Sequence, residues 1–387
     1  MTKPTKLFNR GFLILIGVSL ITSLGFNMIL TLISSYARSF GTELTAVGII
    51  SGIFSITALV FRPVGGFLSD LLNKKKICVI STLMIALVII GHALCPSVGT
   101  LLVIRIFHGA LFGINGTANM ALAAEFIPDD KMGEGLGYYG LGQVLSQIVG
   151  PTIGIAIRDA LGYEAMFFII GICTIVAAVI LQMSFPYSFH PKENADATHH
   201  SLSLNNLIAK ECIFYALIAG LFSMGNGIVN SFLVLLGEEK EISNVSLFFS
   251  VNAIVLFLLR LLIGKVVDRT NLLAIVDFSL MAGAISMMII GKSNILTFLL
   301  IAAAIKAFGN VGGQISLQSA CVKKVDALRI GVATSTYYIG ADIGQGLGPI
   351  WGGRIAQQFG YEAVFFCMAG FFLLGLICFT GYQLHQK

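Results

Sequence analysis

The sequence predicts an all-α integral membrane protein, with twelve transmembrane helices in two pseudo-symmetric six-helix bundles. Three observations lead there. Of its 387 residues, 56% are hydrophobic and only 11% charged, against roughly 25% charged in a soluble domain. The apolar residues come in blocks, many about 20 residues long, the length a helix needs to cross a hydrocarbon core of about 30 Å. The second half of the chain also repeats the first. "GPTIGIAIRDALGYEAMFF" from Gly150 and "GPIWGGRIAQQFGYEAVFF" from Gly348 match at ten of nineteen positions, 198 residues apart.

Charged and Gly/Pro/Asn-rich punctuation sets the element boundaries. Span one, 11–35, follows Lys3, Lys6 and Arg10. It is too long for a signal-peptide core and no small-residue cleavage site precedes Arg38, so it reads as a retained helix. Spans two (46–69) and three (77–95) flank a short basic loop. Span four (100–122) carries polar residues at helical spacing, span five (134–157) holds the Gly150-Pro151 corner, and span six (165–185) is apolar. The long polar stretch from Pro186 to Glu211 reads as a linker, giving an N-terminal bundle at 1–187, a cytoplasmic linker at 188–207 and a C-terminal bundle at 208–387. The second half then supplies spans at 208–236, 246–267, 272–291, 294–318, 332–353 and 363–383.

Basic residues set the orientation. With the N-terminus in the cytoplasm, fifteen Lys and Arg fall inside, among them Lys74, Lys75, Lys76, Lys323 and Lys324. Five fall outside: Arg38, Arg158, Lys240, Lys292 and Arg354. Both termini are therefore expected to be cytoplasmic, and the net charge of +5 is a topology signal. A nucleic-acid partner would need a basic face on a soluble domain. The seven cysteines show no CxxC or CxxH spacing, so neither a metal site nor a disulfide framework is expected. No cofactor is implied. An enzyme is not expected either, since the Gly-rich pieces sit inside spans rather than at a strand-to-helix turn.

Three motifs add a resemblance. "GFLSDLLNKKK" (Gly66–Lys76) lies between spans two and three, with Asn73 and Leu71 where a glycine and a basic residue are usual. A degenerate copy, "GKVVDRTN" (Gly264–Asn271), follows at the same offset. "RIFHGALFG" (Arg105–Gly113) lies in span four and "GQVLSQIVGPTIG" (Gly142–Gly154) in span five. With these, the whole chain resembles the major facilitator superfamily, and within it the twelve-span drug:proton antiporter branch. The resemblance implies a cavity between the halves lined by spans one, four, seven and ten, and it associates Arg105 with proton coupling. The stretch "TALVFRPVGG" (Thr57–Gly66) is also similar to exporters of metal-chelating opines.

The residues themselves point to the same helices. Arg105, His108, Asn115 and Asn119 form one stripe on span four, and Lys306, Asn310, Gln314 and Gln318 another on span ten. Span seven offers Asn226 and Asn230, and span one Asn27, Thr31 and Ser34. Against lipid these groups are costly, so they should face a wet cavity or one another. Asn27, Phe112, Asn115, Asn119, Asn226, Asn230, Lys306, Asn310 and Gln314 are the substrate-binding candidates, with Phe26, Phe222 and Phe308 as further aromatic walls. Spans three, six and twelve are expected to face lipid. Lys306 and Asp342 both fall near the midplane and are expected to pair. Asp342, Arg105 and His108 are the proton-coupling candidates. Arg62 with Asp70, and Arg260 with Asp268, read as gating latches. Gly150, Pro151 and Gly154, with Gly344, Gly348, Pro349 and Gly352, read as close helix packing that slides as the halves rock. The expected function is proton-coupled efflux of small amphipathic or cationic compounds by alternating access. The alternative is symport or export of an anionic solute such as an organic acid, sugar or opine-type metallophore. The expected setting is the plasma membrane, with lipid, protons and a small-molecule substrate as partners and a monomeric chain.

Overall fold

The computed structural model describes residues 6–128, 131–184, 208–269, 271–325 and 330–385. Among these the structure is helical: α1 (Arg10–Ser39), α2 (Leu44–Leu71), α3 (Lys74–Ala93), α4 (Val98–Glu125), α5 (Met132–Ser184), α6 (Ile213–Glu239), α7 (Leu247–Arg269), α8 (Leu272–Lys292), α9 (Leu296–Lys323) and α10 (Ile330–His385). Nine helices among the described residues are long and apolar enough to cross a membrane, and Leu247–Leu259 is a shorter apolar stretch. Large apolar side chains recur at helical spacing on exposed faces, such as Ile80, Met84 and Leu87 on α3 and Phe278, Met281 and Ile285 on α8. In a membrane protein that face meets lipid.

The 198-residue repeat extends to the helix ends. α4 and α9 each run 28 residues, starting at Val98 and Leu296. Helix α3 starts at Lys74 and α8 at Leu272, and the residue before each is an asparagine. The Asn73 side chain accepts from Lys76 N at 3.0 Å, and the Asn271 side chain accepts from Leu273 N at 3.1 Å. Both are N-caps that satisfy a backbone donor with no helical partner. The asparagine that departs from the family loop pattern is therefore the residue that starts α3.

Between the expected spans five and six the chain stays helical except at one glycine. Helix α5 continues through Arg158 and Asp159, and α10 through the matching stretch, each broken at one glycine. Gly162 has φ 86° and ψ 172°, and Gly360 has φ 81° and ψ 171°. This region of backbone space is essentially closed to residues with a Cβ. The repeated Gly-Tyr-Glu-Ala thus marks a corner at which one helix becomes the next.

By their internal contacts the residues form two compact units, one comprising Met1–Phe40 with Ile53–Ala195, the other Gly41–Gly52 with Asp196–Lys387. In the first, α1 packs on α5, and α3 on α4 and α5. Its core includes Phe12, Leu15, Cys78, Leu122 and Leu181. In the second, α6 packs on α10, and α8 and α7 pack on α9. The glycine stripes lie in the tightest of these contacts. A Cβ on Gly340 or Gly344 would collide with the backbone oxygens of Ala216 and Gly220 on α6, and one on Gly352 with the Phe232 ring. A Cβ on Gly150 would sit 3.0 Å from Asn27 Cβ, and one on Gly154 3.1 Å from Met28 Cβ, both on α1. The α10 stripe thus meets backbone of α6 at Gly340 and Gly344, and the α5 stripe meets side chains of α1. This is the close approach that small residues permit between helices.

Candidate functional site

In the first unit three aromatic rings from three helices meet. Phe26 of α1 stacks on Phe112 of α4 with centroids 4.6 Å apart, and Phe54 of α2 lies 5.3 and 5.2 Å from them. The Arg105 guanidinium sits 4.5 Å over the Phe54 ring, a cation–π arrangement favoured where water is excluded. The His108 ring meets the same Phe54 edge-on at 5.1 Å. Both Arg105 and His108 are 1% exposed.

His108 also meets a residue the sequence reading passed over. His92 of α3 lies 5.4 Å from it, ring to ring. The His92 Nδ1 is 2.8 Å from Val88 O, its backbone oxygen accepts from Tyr36 OH at 2.7 Å, and its ring stacks on Phe167. The two imidazoles each keep one buried ring nitrogen without a hydrogen bond, Nε2 of His92 and Nδ1 of His108. A lone histidine in the apolar run of span three was the available signal, since an ionisable group at depth is rare.

The remainder of the span-four stripe goes elsewhere. Asn115 Nδ2 donates to Ser81 Oγ at 2.7 Å and Thr82 Oγ1 at 2.9 Å on α3, and Asn119 Nδ2 donates to Asn115 Oδ1 at 2.7 Å. These two asparagines join α4 to α3 within the unit. Helix α3 therefore does not face lipid all round, as expected from its apolar run; one face supplies hydroxyls to Asn115. Asn27 back-bonds to Ser23 O at 2.9 Å and packs on Gly150.

In the second unit α6 and α9 meet through a polar trio. Lys306, 5% exposed, donates through Nζ to Asn226 Oδ1, and Asn310, 6% exposed, donates to the same oxygen at 2.9 Å. Asn230 and Gln314 lie one turn further along each helix, half-buried. The expected Lys306–Asp342 ion pair is not formed, because the ammonium is held by the amide oxygen of Asn226. Asp342 is half-buried on α10. Phe222 is buried against Gly313 and Phe372, and Phe308 is 48% exposed on the far side of α9. Neither forms the expected aromatic wall. Arg62 is exposed on α2 and its backbone oxygen accepts from Thr117 at 3.4 Å. The side chains of Asp70, Arg260 and Asp268 lie outside the described residues.

The 198-residue offset ties the two clusters together. His108 and Lys306 occupy the same position of equal-length helices, eleventh from the start of α4 and of α9 (108 − 98 + 1 and 306 − 296 + 1). Phe112 and Asn310 are likewise equivalent. Duplication kept a buried ionisable group at one place and changed its chemistry.

A family profile described as the Major Facilitator Superfamily matches residues 15–349. The chain belongs to this superfamily. It is 26% identical over 373 residues to the Multidrug resistance protein MdtG of Proteus mirabilis, covering 92% of each chain. It is 24% identical to an uncharacterized MFS-type transporter of Methanocaldococcus jannaschii, covering 90% of this chain and 93% of that one. Among solved structures it is similar to the nucleoside transporter NupG, with TM-score 0.78 and 15% identity over 96% of this chain and 98% of that chain. It is also similar to a bacterial homolog of the human lysosomal transporter Spinster, with TM-score 0.80 and 14% identity over 97% of each chain. The superfamily's members are transporters rather than enzymes, and this one is a multi-pass membrane protein acting on small molecules within the bilayer.

Proposed function

We propose that this superfamily member is a proton-coupled exporter of small amphipathic or cationic compounds, working by alternating access of its two duplicated halves. The observation that carries this reading is the pair of equivalent, buried ionisable positions, His108 and Lys306, inside membrane-crossing helices. Groups of that kind are too costly in oil to be kept without a use. The span-five motif and the multidrug-resistance relatives support efflux. Counting α5 and α10 each as two crossings at Gly162 and Gly360 supports twelve spans in two six-helix bundles, divided near 188–207. The balance of basic residues supports both termini in the cytoplasm of a plasma-membrane monomer.

On this reading Asp342 carries the proton in the second unit, Arg105 and His108 are the proton-coupling groups of the first, and the phenylalanines of the first unit hold the apolar part of the substrate. Arg62, Asp70, Arg260 and Asp268 act as latches at the cytoplasmic ends of their helices. Asp70→Asn should then lower transport while leaving substrate binding intact; loss of binding would remove the latch role. The reading is tested in proteoliposomes by imposing a pH gradient and following the accumulation of dye-like amphipathic compounds. Uptake that follows the gradient and stops with Asp342→Asn is the expected result. Uptake indifferent to the gradient would refute proton coupling. The second reading, transport of an anionic solute, is favoured by one observation, the bonding of Lys306 to an amide instead of a carboxylate.

A further inference from the structure

The second unit holds a buried lysine that makes no ion pair with a carboxylate of the described residues. Lys306 lies eleven residues into a 28-residue membrane-crossing helix. Its one side-chain partner is the neutral Asn226, and it makes no ion pair with any carboxylate of the described residues. Two of the unit's acids have partners of their own: Asp277 accepts from Thr380 at 3.0 Å, and Glu362 pairs with Lys240 at 2.6 Å. An ammonium in that place normally has a counter-charge, since a lone one is costly in hydrocarbon.

The trio is also short of acceptors. Asn226 Oδ1 already takes two donors, one from Lys306 and one from Asn310. Two Lys306 N–H groups, one N–H of Asn310 and both of Asn226 remain, and the trio's own spare acceptor is Asn310 Oδ1. A cationic substrate would add donors and like charge to a place that has too many of each. A group bringing two or more oxygens and a negative charge completes both deficits at once.

We propose that Lys306, Asn226 and Asn310 form the binding site for an oxyanion on the transported compound, a carboxylate or phosphonate joined to an apolar body. The inference rests on the transporter reading above and narrows its substrate class, replacing the cationic branch. Lys306 supplies the charge, and the two asparagines on α6 and α9 fix the orientation of the oxygens. The equivalent position in the first unit, His108, lies beside phenylalanines, so the duplicated position has aromatic neighbours in one unit and amide neighbours in the other.

A matched series of probes tests this: 4-phenylbutyrate, 4-phenylbutyramide and 4-phenylbutylamine, titrated calorimetrically into the full-length purified protein. The carboxylate should bind at least about tenfold tighter than the amine, a difference of about 1.4 kcal/mol. Lys306→Met should bring the carboxylate to within about twofold of the amide, and Lys306→Arg should keep most of the preference. Equal or tighter binding of the amine, an unchanged preference in Lys306→Met, or binding of none of the three at millimolar concentration would each overturn the proposal. If Lys306→Met fails to fold, as shown by aggregation on size exclusion, the wild-type ranking alone still decides between carboxylate and amine. The proteoliposome assay separates this failure from that of the transport reading: gradient-driven movement of the amine would leave the transporter standing and remove the oxyanion site.

Discussion

At the scale of single residues, buried polar groups in this protein do two different jobs that look alike in sequence. Asn115 and Asn310 are both span asparagines on polar stripes, yet Asn115 ties α4 to Ser81 and Thr82, and Asn310 serves the Lys306 cluster. Helical spacing reports which residues share a face of one helix, and is silent on which neighbour that face meets. Small hydroxyls in an apolar run gave no warning that α3 had a polar side. Asn115→Ala should therefore lower stability by about 1–3 kcal/mol, the cost of stranding buried partners, while substrate affinity stays as in wild type; a calorimetric titration beside a thermal melt reads both. Affinity lost at unchanged melting temperature would return Asn115 to the substrate site. Lys240 makes a comparable structural claim, donating to Gly291 O at 2.9 Å and Ser293 O at 3.1 Å and pairing with Glu362. It ties the end of α8 to α10. Lys240→Met should destabilise by about 1–3 kcal/mol through the unsatisfied carbonyls, visible as a lower melting temperature, and its transport rate per folded molecule should not change.

At the scale of elements, glycines decide where helices turn and how near they come. Most span limits were legible because apolar length and charged punctuation report the membrane directly: α1 and α2 run a few residues past the expected limits, while α6 starts five residues late at Ile213 and α3 ends two early at Ala93. The corners at Gly162 and Gly360 were not legible. Arg158, Asp159 and Glu164 read as a loop, yet charges at a membrane surface are as comfortable on a helix end as in a loop, since water reaches both. Replacing Gly162 or Gly360 with alanine should cost about 1–3 kcal/mol of backbone strain. Gly116, where a Cβ meets nothing within 4 Å, is the control, and Gly116→Ala should be neutral or stabilising by up to about 1 kcal/mol. Gly344→Val should be worse than any of these, since its side chain would enter the Gly220 backbone. A melting series that ranked Gly116→Ala below Gly344→Val would contradict this packing.

At the scale of the whole molecule, the duplication is what gives the protein its chemistry. The two halves of the repeat share the length of α4 and α9, N-cap asparagines and glycine corners, and differ at the buried positions where His108 faces phenylalanines and Lys306 faces asparagines. The repeat was visible in the sequence through its Gly-Pro and Gly-Tyr-Glu-Ala copies. The equivalence of His108 and Lys306 follows from the same 198-residue offset, but the two residues differ, so no identity drew attention to the place; the coincident starts of α4 and α9 made it plain. The proposal that most needs a test is that buried ionisable groups couple solute movement to protons. Proteoliposomes loaded with a pH-sensitive dye and given 4-phenylbutyrate outside should show a change in internal pH on substrate addition. That change should vanish in Asp342→Asn although calorimetric binding persists. A wild-type protein that moves the compound with no change in internal pH would contradict the account.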